Sequence, residues 1–547
     1  MGKPLEVFLR IEFYILLFVF IFSLYLLNMS FWQSDKEAFS FFAMHYKENW
    51  FSFQDSHIGG MTYLNTYPPL VFQIMALLSY VVSLNLSYQL VILAFWILLA
   101  FFSTKFFFAY IDGEKKYKKY FWIIFLFNYF ALGMFRASVI EGWITTFVGL
   151  SFTFISLYYF ILFLKGKIKS KILFILPFLL TAATNTFSFV FLLGVYSFIF
   201  IFDYKIVLKK TKLIFITLFF LFEVVYFLII YSLLNSYLQG YVETVMGSRN
   251  PLLSENFVEW FYSHFGISLV ALIIFPLYKP LKKAWKLYVL AIIFFIIGLG
   301  RTTPLTKIVF GELEIWLMYD QFLFFSSIFF TLFLSFFLVN FIYGKFKSFN
   351  AKIFISSLFI IYLIYNLSEA FIINPFALYK DPAIDQSKNF VLDFLNFQQP
   401  EYRYQTFGYP WKRGDFYLNT KMHTLDTDYT SFKTIDILKK TGVRHINDIK
   451  NPNLISQFFN IASNCSVKYV ITFNGFYENI TNEQNWKVVA NEKFGEYNVI
   501  IWENPMEVNP IKSIPEKITI VNYLWGSMPL ITLFAFIFIL FKKYKNK

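Results

Sequence analysis

The stretch Trp143-Ile144-Thr145-Thr146-Phe147-Val148-Gly149-Leu150 continues without a charge to Leu164, then meets Lys165-Gly166-Lys167-Ile168-Lys169-Ser170-Lys171. Some 20 apolar residues are what a helix needs to cross a bilayer, and a lysine cluster at one end marks a cytoplasmic loop. The same pattern recurs along the chain. Apolar runs fall at 9–29, 67–84, 87–109, 120–135, 143–164, 171–202, 212–234, 266–278, 286–300, 317–343, 352–373 and 517–541. Hydrophobic residues make up 58% of the chain and charged residues 15%, well below the roughly 25% charged content of soluble domains. With 78 Phe among them, most of these residues suit a lipid-facing surface. The run 9–29 has few basic residues before it and no small-residue cleavage site, so it reads as a retained first span and not a signal peptide.

Lysine placement orders the spans. With Lys542, Lys543, Lys545 and Lys547 taken as cytoplasmic, the loops holding Lys345 and Lys347, Lys279 to Lys286, and Lys205 to Lys212 alternate onto the same side. Bringing Lys165 to Lys171 there as well requires 171–202 to cross twice, with its break at Thr184-Asn185-Thr186. Bringing Lys115 to Lys119 there requires 87–109 to run inward. Segment 67–84 then lies on the outer face without crossing. The expectation is an α-helical polytopic membrane protein of about 12 spans. Both termini are cytoplasmic and the outer face is built from 30–86, 136–142, the turn at Asn185, 235–265, 301–316 and 374–516. The net charge of +14 belongs to these topology lysines, so no nucleic-acid partner is expected.

Three units follow: a transmembrane module over 1–373 with first outer loop 30–86, a soluble domain over 374–516, and a last span with a basic tail over 517–547. In 374–516 polar residues rise and long apolar runs stop. Strands are expected at Arg403–Phe407, Val467–Phe473 and Val499–Glu503, with a helix at Ser431–Thr441, which together predict a small extracytoplasmic α/β domain. No Gly-rich phosphate loop, H-E-x-x-H or nucleophile elbow is present. His423 and His445 read as surface residues, and the domain as a lid or binding accessory. The lone Cys465 excludes an internal disulfide framework and a Cys-based zinc site.

Chemistry concentrates in the first outer loop: Trp32-Gln33-Ser34-Asp35-Lys36-Glu37, then Asp55-Ser56-His57-Ile58-Gly59-Gly60, then Tyr67-Pro68-Pro69-Leu70. Asp35 stands a few residues past the first span. There a carboxylate reaches a lipid headgroup while its partner arrives from water, and apolar surroundings raise its proton affinity, which suits a base acting on a hydroxyl. The plainer reading is a solvated interfacial Asp. Likewise Gly59-Gly60 reads as a turn and Pro68-Pro69 as a helix start.

An acidic residue just after the first span, a Trp- and Gly-containing loop, and Tyr67-Pro68-Pro69-Leu70 opening an apolar helix together resemble the GT-C class of membrane glycosyltransferases. Within that class the chain is similar to the 6-pyruvoyl-tetrahydropterin-synthase-related multi-pass membrane proteins of prokaryotes and archaea. Val467-Lys468-Tyr469-Val470-Ile471, Trp486 and Val499-Ile500-Ile501-Trp502-Glu503-Asn504 carry the likeness into the C-terminal part. The resemblance implies sugar transfer from a polyprenyl-phosphate-linked donor to a glycan, lipid or protein acceptor on the extracytoplasmic face of the cell membrane. It assigns catalysis to Asp35, with Glu37 its neighbour in a loose acidic pair. Two positions depart from it: Asn185 stands where relatives often have His, and Asp320-Gln321-Phe322 stands where they often have Asp-Arg-Phe.

Further polar residues fall on the same face. Arg301, at a membrane boundary in Gly300-Arg301-Thr302, suits a lipid phosphate by charge and bidentate hydrogen bonding, or snorkels to anchor its helix. Arg249 suits the same phosphate, or is a solvated loop charge. Asp55, His57, Tyr67, Glu141, Asn185 and Asp320 are candidates for positioning donor or acceptor, Glu141 also for a metal. Some relatives use a divalent cation, Mg or Mn, but no ligand set is readable here. No nucleotide site is required, because the carrier's glycosyl-phosphate bond holds the energy. Two other classes stay open: a transporter or flippase of lipid-linked sugars, for which Glu223 inside 212–234 is the proton-coupling candidate, and an inert scaffold of a surface-polymer assembly.

Overall fold

In the computed structural model the run ending at Leu164 forms one unbroken helix. The structure describes residues 3–29, 36–52, 68–113, 118–210, 219, 221, 264–300, 304–311, 318–345, 348–373, 381–409, 414–425, 452–473, 475–511 and 517–545. In chain order the helices of the first half are Lys3–Met29 (α1), Lys36–Glu48 (α2), Leu70–Leu78 (α3), Leu84–Tyr110 (α4), Phe121–Tyr129 (α5), Leu132–Phe135 (α6), Ile144–Leu164 (α7), Ile172–Ala182 (α8), Thr186–Phe202 (α9) and Tyr204–Lys210 (α10). Those of the second half of the membrane module are Ala271–Leu277 (α11), Trp285–Gly298 (α12), Pro304–Phe310 (α13), Tyr319–Lys345 (α14) and Ser348–Ile373 (α15).

Four helices among the described residues are long and apolar enough to cross a membrane: α4, α7, α14 and one at the C-terminal end, Ile520–Lys543. A bent pair, Phe121–Tyr129 with Leu132–Val139 at 52°, makes a fifth. Shorter apolar helices cover Tyr14–Leu27, Ile172–Ala182, Thr186–Phe202, Gly266–Leu277 and Ile353–Glu369. The run 212–234, and Glu223 within it, lies almost wholly outside the described residues.

Where the helices break, other side chains take up the freed backbone groups, as a hydrocarbon setting demands. The expected single span 120–135 bends between α5 and α6, and it continues beyond 135. At that bend the Tyr129 carbonyl accepts from Trp96 Nε1 at 3.0 Å and the Phe130 carbonyl from Asn366 Nδ2 at 2.8 Å. The run 171–202 breaks at the polar trio, where Asn185 Oδ1 caps α9 by accepting from the Ser188 N–H at 2.7 Å. The Ala183 carbonyl freed there accepts from the Leu70 N–H at 3.1 Å, seating the start of α3 on the break. With 9 residues, α3 is only about 14 Å long, too short to cross.

The ends of the bundle sort by chemistry. At one end Lys165 Nζ donates to the Ala109 and Tyr110 carbonyls and pairs with Asp112 at 2.6 Å, while Lys286 pairs with Asp203 and Lys543 stands over the Tyr159 ring. At the other end lie the starts of α4, α7 and α9: Tyr88 donates to the Gly142 carbonyl at 2.8 Å and Asn185 to Thr145 Oγ1 at 3.3 Å. Helix starts carry partial positive charge.

After α15 come Pro382–Asn396 (α16), Gly414–Tyr417 (α17), Pro452–Ile461 (α18), Gly475–Glu483 (α19) and the last helix, Ile520–Lys545 (α20). Strands Arg403–Phe407 (β1), His423–Thr424 (β2), Val467–Thr472 (β3), Lys487–Phe494 (β4) and Tyr497–Glu503 (β5) form one sheet in the order β2-β1-β3-β5-β4. The first two ladders are parallel and the last two antiparallel. Period-two alternation splits β5: Ile500 and Trp502 pack with Ile455, Phe458 and Phe459 of α18 on one face, Val499 and Ile501 with Val391 and Leu395 of α16 on the other. Helices on both faces explain why Val499-Ile500-Ile501-Trp502 is continuously apolar. Below the sheet, burial lowers the Arg403 guanidinium to about 10, and its Nη1 donates to the Cys465 carbonyl at 2.9 Å. The expected helix at Ser431–Thr441 and His445 lie outside the described residues.

Packing near α14 is tight enough to test. A Cβ on Gly298, at the end of α12, would stand 2.5 Å from Leu323 Cδ2 and 2.9 Å from its backbone nitrogen. Gly298→Ala is expected to cost about 1–3 kcal/mol, because the backbone of α14 cannot give way as a side-chain end can. A lowered melting temperature in detergent, by thermal-shift assay, is the check; an unchanged midpoint would show that α12 and α14 slide apart freely.

Candidate functional site

The site is assembled where helix starts converge. After α6 the chain makes a single π-helical turn, Arg136–Ile140, and Glu141 follows it. Turns of this kind widen the helix by one residue and re-aim the side chains that follow. Gly142, with φ +70°, then reverses the chain into Trp143 and α7, a conformation glycine takes at little cost. Glu141 is thus presented at the mouth of the bundle, its side chain 17% exposed.

Facing it is Arg136, buried, with Nη2 donating to Glu141 Oε1 at 3.2 Å. Asp320, in the first turn of α14, is the second carboxylate close enough to act on the Arg136 charge. Its Oδ1 accepts from the Gln321 N–H at 2.9 Å. One guanidinium therefore ties the π turn to the residue that leads into α7. Trp143 lies beside buried His264, ring centroids 6.3 Å apart, and a Cβ on Gly133 would stand 2.7 Å from the His264 carbonyl oxygen.

Of the residues expected from sequence, Glu141 and Asp320 are brought together through Arg136. Asn185 joins the same rim, since it donates to Thr145, in the first turn of α7. Glu37 is half-buried in the first turn of α2. That helix packs on α3 through Phe39 and Phe42 against Phe72, at 5.7 and 4.9 Å between ring centroids. Asp35, Asp55, His57, Tyr67, Arg249 and Arg301 lie outside the described residues. The chain neighbours of two of them are placed: Lys36 opens α2, and Gly300 packs against Tyr319, next to Asp320. Where relatives are described with Arg, Gln321 is buried and its Nε2 lies 3.3 Å from Met318 Sδ.

Arg136 was not among the sequence candidates, although a signal existed. An arginine at the lysine-poor end of an apolar run, opposite the topology lysines, has no orienting role to explain it. The ionic partner of Glu141 is the Arg136 guanidinium, at 3.2 Å. Among the described residues no group of three His, Cys, Asp or Glu stands together as a metal site.

The start of α20 is tied to α3 and to the residues just after α2. Trp50 Nε1 and Gln73 Nε2 both donate to the Gly526 carbonyl, at 2.9 and 2.8 Å, and Asn522 Nδ2 donates to the Phe51 carbonyl at 2.8 Å. Burial pushes the Tyr46 hydroxyl, on the same helix as Glu37, well above the usual tyrosine range, so it stays protonated. These contacts set the start of α20 beside α3 and the end of α2.

By sequence, no family model matches the chain, and no curated protein matches it. By structure, the crystal structure of ArnT from Cupriavidus metallidurans bound to undecaprenyl phosphate matches with a TM-score of 0.50, over 92% of this chain and 98% of that one. The fold is similar to that of ArnT. At 10% identity the likeness is one of fold. Together with its long apolar helices, that likeness makes the chain a multi-pass membrane protein with an ArnT-like fold.

Proposed function

We propose that the chain is a membrane glycosyltransferase that moves a sugar from a polyprenyl-phosphate-linked donor to an acceptor hydroxyl on the extracytoplasmic face of the cell membrane. The observation that carries this reading is the ArnT-like fold over nearly the whole chain, with Arg136, Glu141 and Asp320 gathered at the helix starts that form its rim. The narrower kinship, to the 6-pyruvoyl-tetrahydropterin-synthase-related membrane proteins, is part of the proposal.

In the proposed reaction Asp35 takes the proton of the acceptor hydroxyl, with Glu37 beside it in sequence. The acceptor oxygen forms a bond to the anomeric carbon from the face opposite the leaving group. The bond from that carbon to the phosphate oxygen breaks, and polyprenyl phosphate departs with the electron pair, inverting the centre. Arg301 and Arg249 are the proposed partners of the departing phosphate, whose charge is stabilised further by the positive ends of the converging helices. Glu141, Asn185 and Asp320, with Asp55, His57 and Tyr67, position the two substrates. The 374–516 domain lies outside the cell and both termini lie inside, in keeping with the lysines.

The test is direct. Protein in lipid nanodiscs, given radiolabelled sugars on polyprenyl phosphate and a membrane extract as acceptor source, is expected to release free polyprenyl phosphate as label leaves the lipid fraction. Label that only changes leaflet, with the glycosyl-phosphate bond intact, would replace this reading with that of a flippase.

A further inference from the structure

Between the sheet domain and the membrane module stands a helical turn that sends one ring each way. Phe416 of α17 is fully buried in the sheet domain, its ring 4.6 Å from Tyr409 and 6.2 Å from Phe473. The next residue, Tyr417, is 1% exposed and belongs to the membrane core, with Leu418 packed beside it. Among the described residues these two are the sheet domain's members of that core.

Tyr417 meets Phe41, itself 1% exposed, edge to face at 5.4 Å and 80°. Phe41 lies in the first half of α2, the helix that opens at Lys36 directly after Asp35 and carries Glu37 in its first turn. Other supports of α2 are α4, Phe72 of α3 under Phe39 and Phe42, and the Gly526 region, which holds Trp50 and Phe51 beyond the helix's far end.

We propose that Tyr417 is a positioning residue, through which the sheet domain holds the start of α2, and with it Glu37, in place against the membrane module. The contact is rigid on both sides. Phe416 is locked into the domain's aromatic core, and Tyr417 inserts without the freedom a long polar side chain would keep. A domain that shifts on binding an acceptor therefore moves the start of α2 directly. Displacements of about 1 Å at reacting groups cost on the order of a hundredfold in rate, so a contact of this size suffices to couple the two. The catalytic half of this inference rests on Asp35 as base; the mechanical half does not.

The two halves are tested separately. For the mechanical half, spin labels at Lys36→Cys and Asn85→Cys, the latter in the first turn of α4, are introduced in a Cys465→Ser background. Their distance distribution in nanodiscs is expected to be narrow in the otherwise unchanged protein, broadened or displaced in Tyr417→Ala, and narrow again in Tyr417→Phe. An unchanged distribution in Tyr417→Ala overturns the proposal. For the catalytic half, Tyr417→Ala is expected to lower kcat by tenfold to about a hundredfold with KM for the lipid donor unchanged, and Tyr417→Phe to restore it. A raised KM at constant kcat, or loss of activity in both variants, overturns it. If Tyr417→Ala does not fold, Phe41→Leu probes the same contact from the other side. A parent protein without transfer activity would remove the proposed function while leaving the distance result standing.

Discussion

Asp35→Asn is expected to abolish measurable sugar transfer, with a loss of about 10²–10⁴ in kcat and little change in KM for the lipid donor. The amide keeps the size and the hydrogen-bonding reach of the carboxylate but cannot take a proton from a hydroxyl. A pure loss of kcat therefore separates base chemistry from binding. Asp35→Glu, which restores the carboxylate one methylene further out, is expected to recover part of the rate. Asp35 immediately precedes α2, where its neighbours Lys36 and Glu37 are half-buried beside the module core. The same α2 is held by α3, α4, Tyr417 and the start of α20, so loss of activity in Asp35→Asn without loss of stability is the expected pairing. Transfer at the parent rate in Asp35→Asn would remove this residue from the mechanism and leave Glu37 or Glu141 as the remaining carboxylates to test.

What was legible in the sequence follows from where the signal is local. The break of 171–202 announces itself, because Thr184-Asn185-Thr186 is a polar trio inside an apolar run and Asn185 caps the helix it starts. The bend in 120–135 does not. It falls at Phe130-Ala131, residues as apolar as their neighbours, and is made tolerable by Trp96 and Asn366, which no local window contains. In the sheet domain, β1 was placed at its observed limits and β3 and β5 nearly so, since each is a short apolar run. β4 was missed because it is the exposed edge, with Lys487, Asn491, Glu492 and Lys493 along it, a charge pattern that protects an edge from pairing while hiding it from a search for apolar alternation. β2, two residues long, offers no pattern at all.

The candidate site divides in the same way. Glu141 and Asp320 were readable singly as acidic residues on the outer side, but their relation was not, because the residue that joins them is 184 positions from one of them (320 − 136). Arg136 had been absorbed into a short turn between spans. Its role comes from the π turn, which is a property of the packed helix pair and not of the residues 136–140 taken alone. That the connecting residue is a cation also changes how the acidic pair is read. Two carboxylates on one face suggest a metal; two carboxylates around a buried guanidinium suggest a fixed ionic clamp between helices.

Arg136→Gln is expected to be the most destabilising single change at the rim. The pair is nearly dry, at 4% and 17% side-chain exposure, and removing one member of a buried ion pair costs about 3–5 kcal/mol, mostly from the charge left behind. Because Glu141 keeps one face toward the mouth of the bundle, water relieves part of this, and the lower end, about 3 kcal/mol, is the expected loss. Arg136→Lys keeps the charge but not the planar fork that reaches Glu141, and is expected to fall between the parent and Arg136→Gln. The double variant Arg136→Gln with Glu141→Gln leaves no unpaired carboxylate at 141, so it is expected to be more stable than Arg136→Gln alone, and the cycle of four proteins gives the coupling between the pair. Melting temperatures in detergent supply the readout, with transfer rates measured beside them. Additive melting shifts would show that the two side chains stand close without depending on one another, and the rim would then be held by packing at Gly133, Gly298 and Trp143 instead. A large coupling would identify Arg136 as the strut that sets α14 against α7, so that Glu141 and Asp320 face the substrates as a fixed pair.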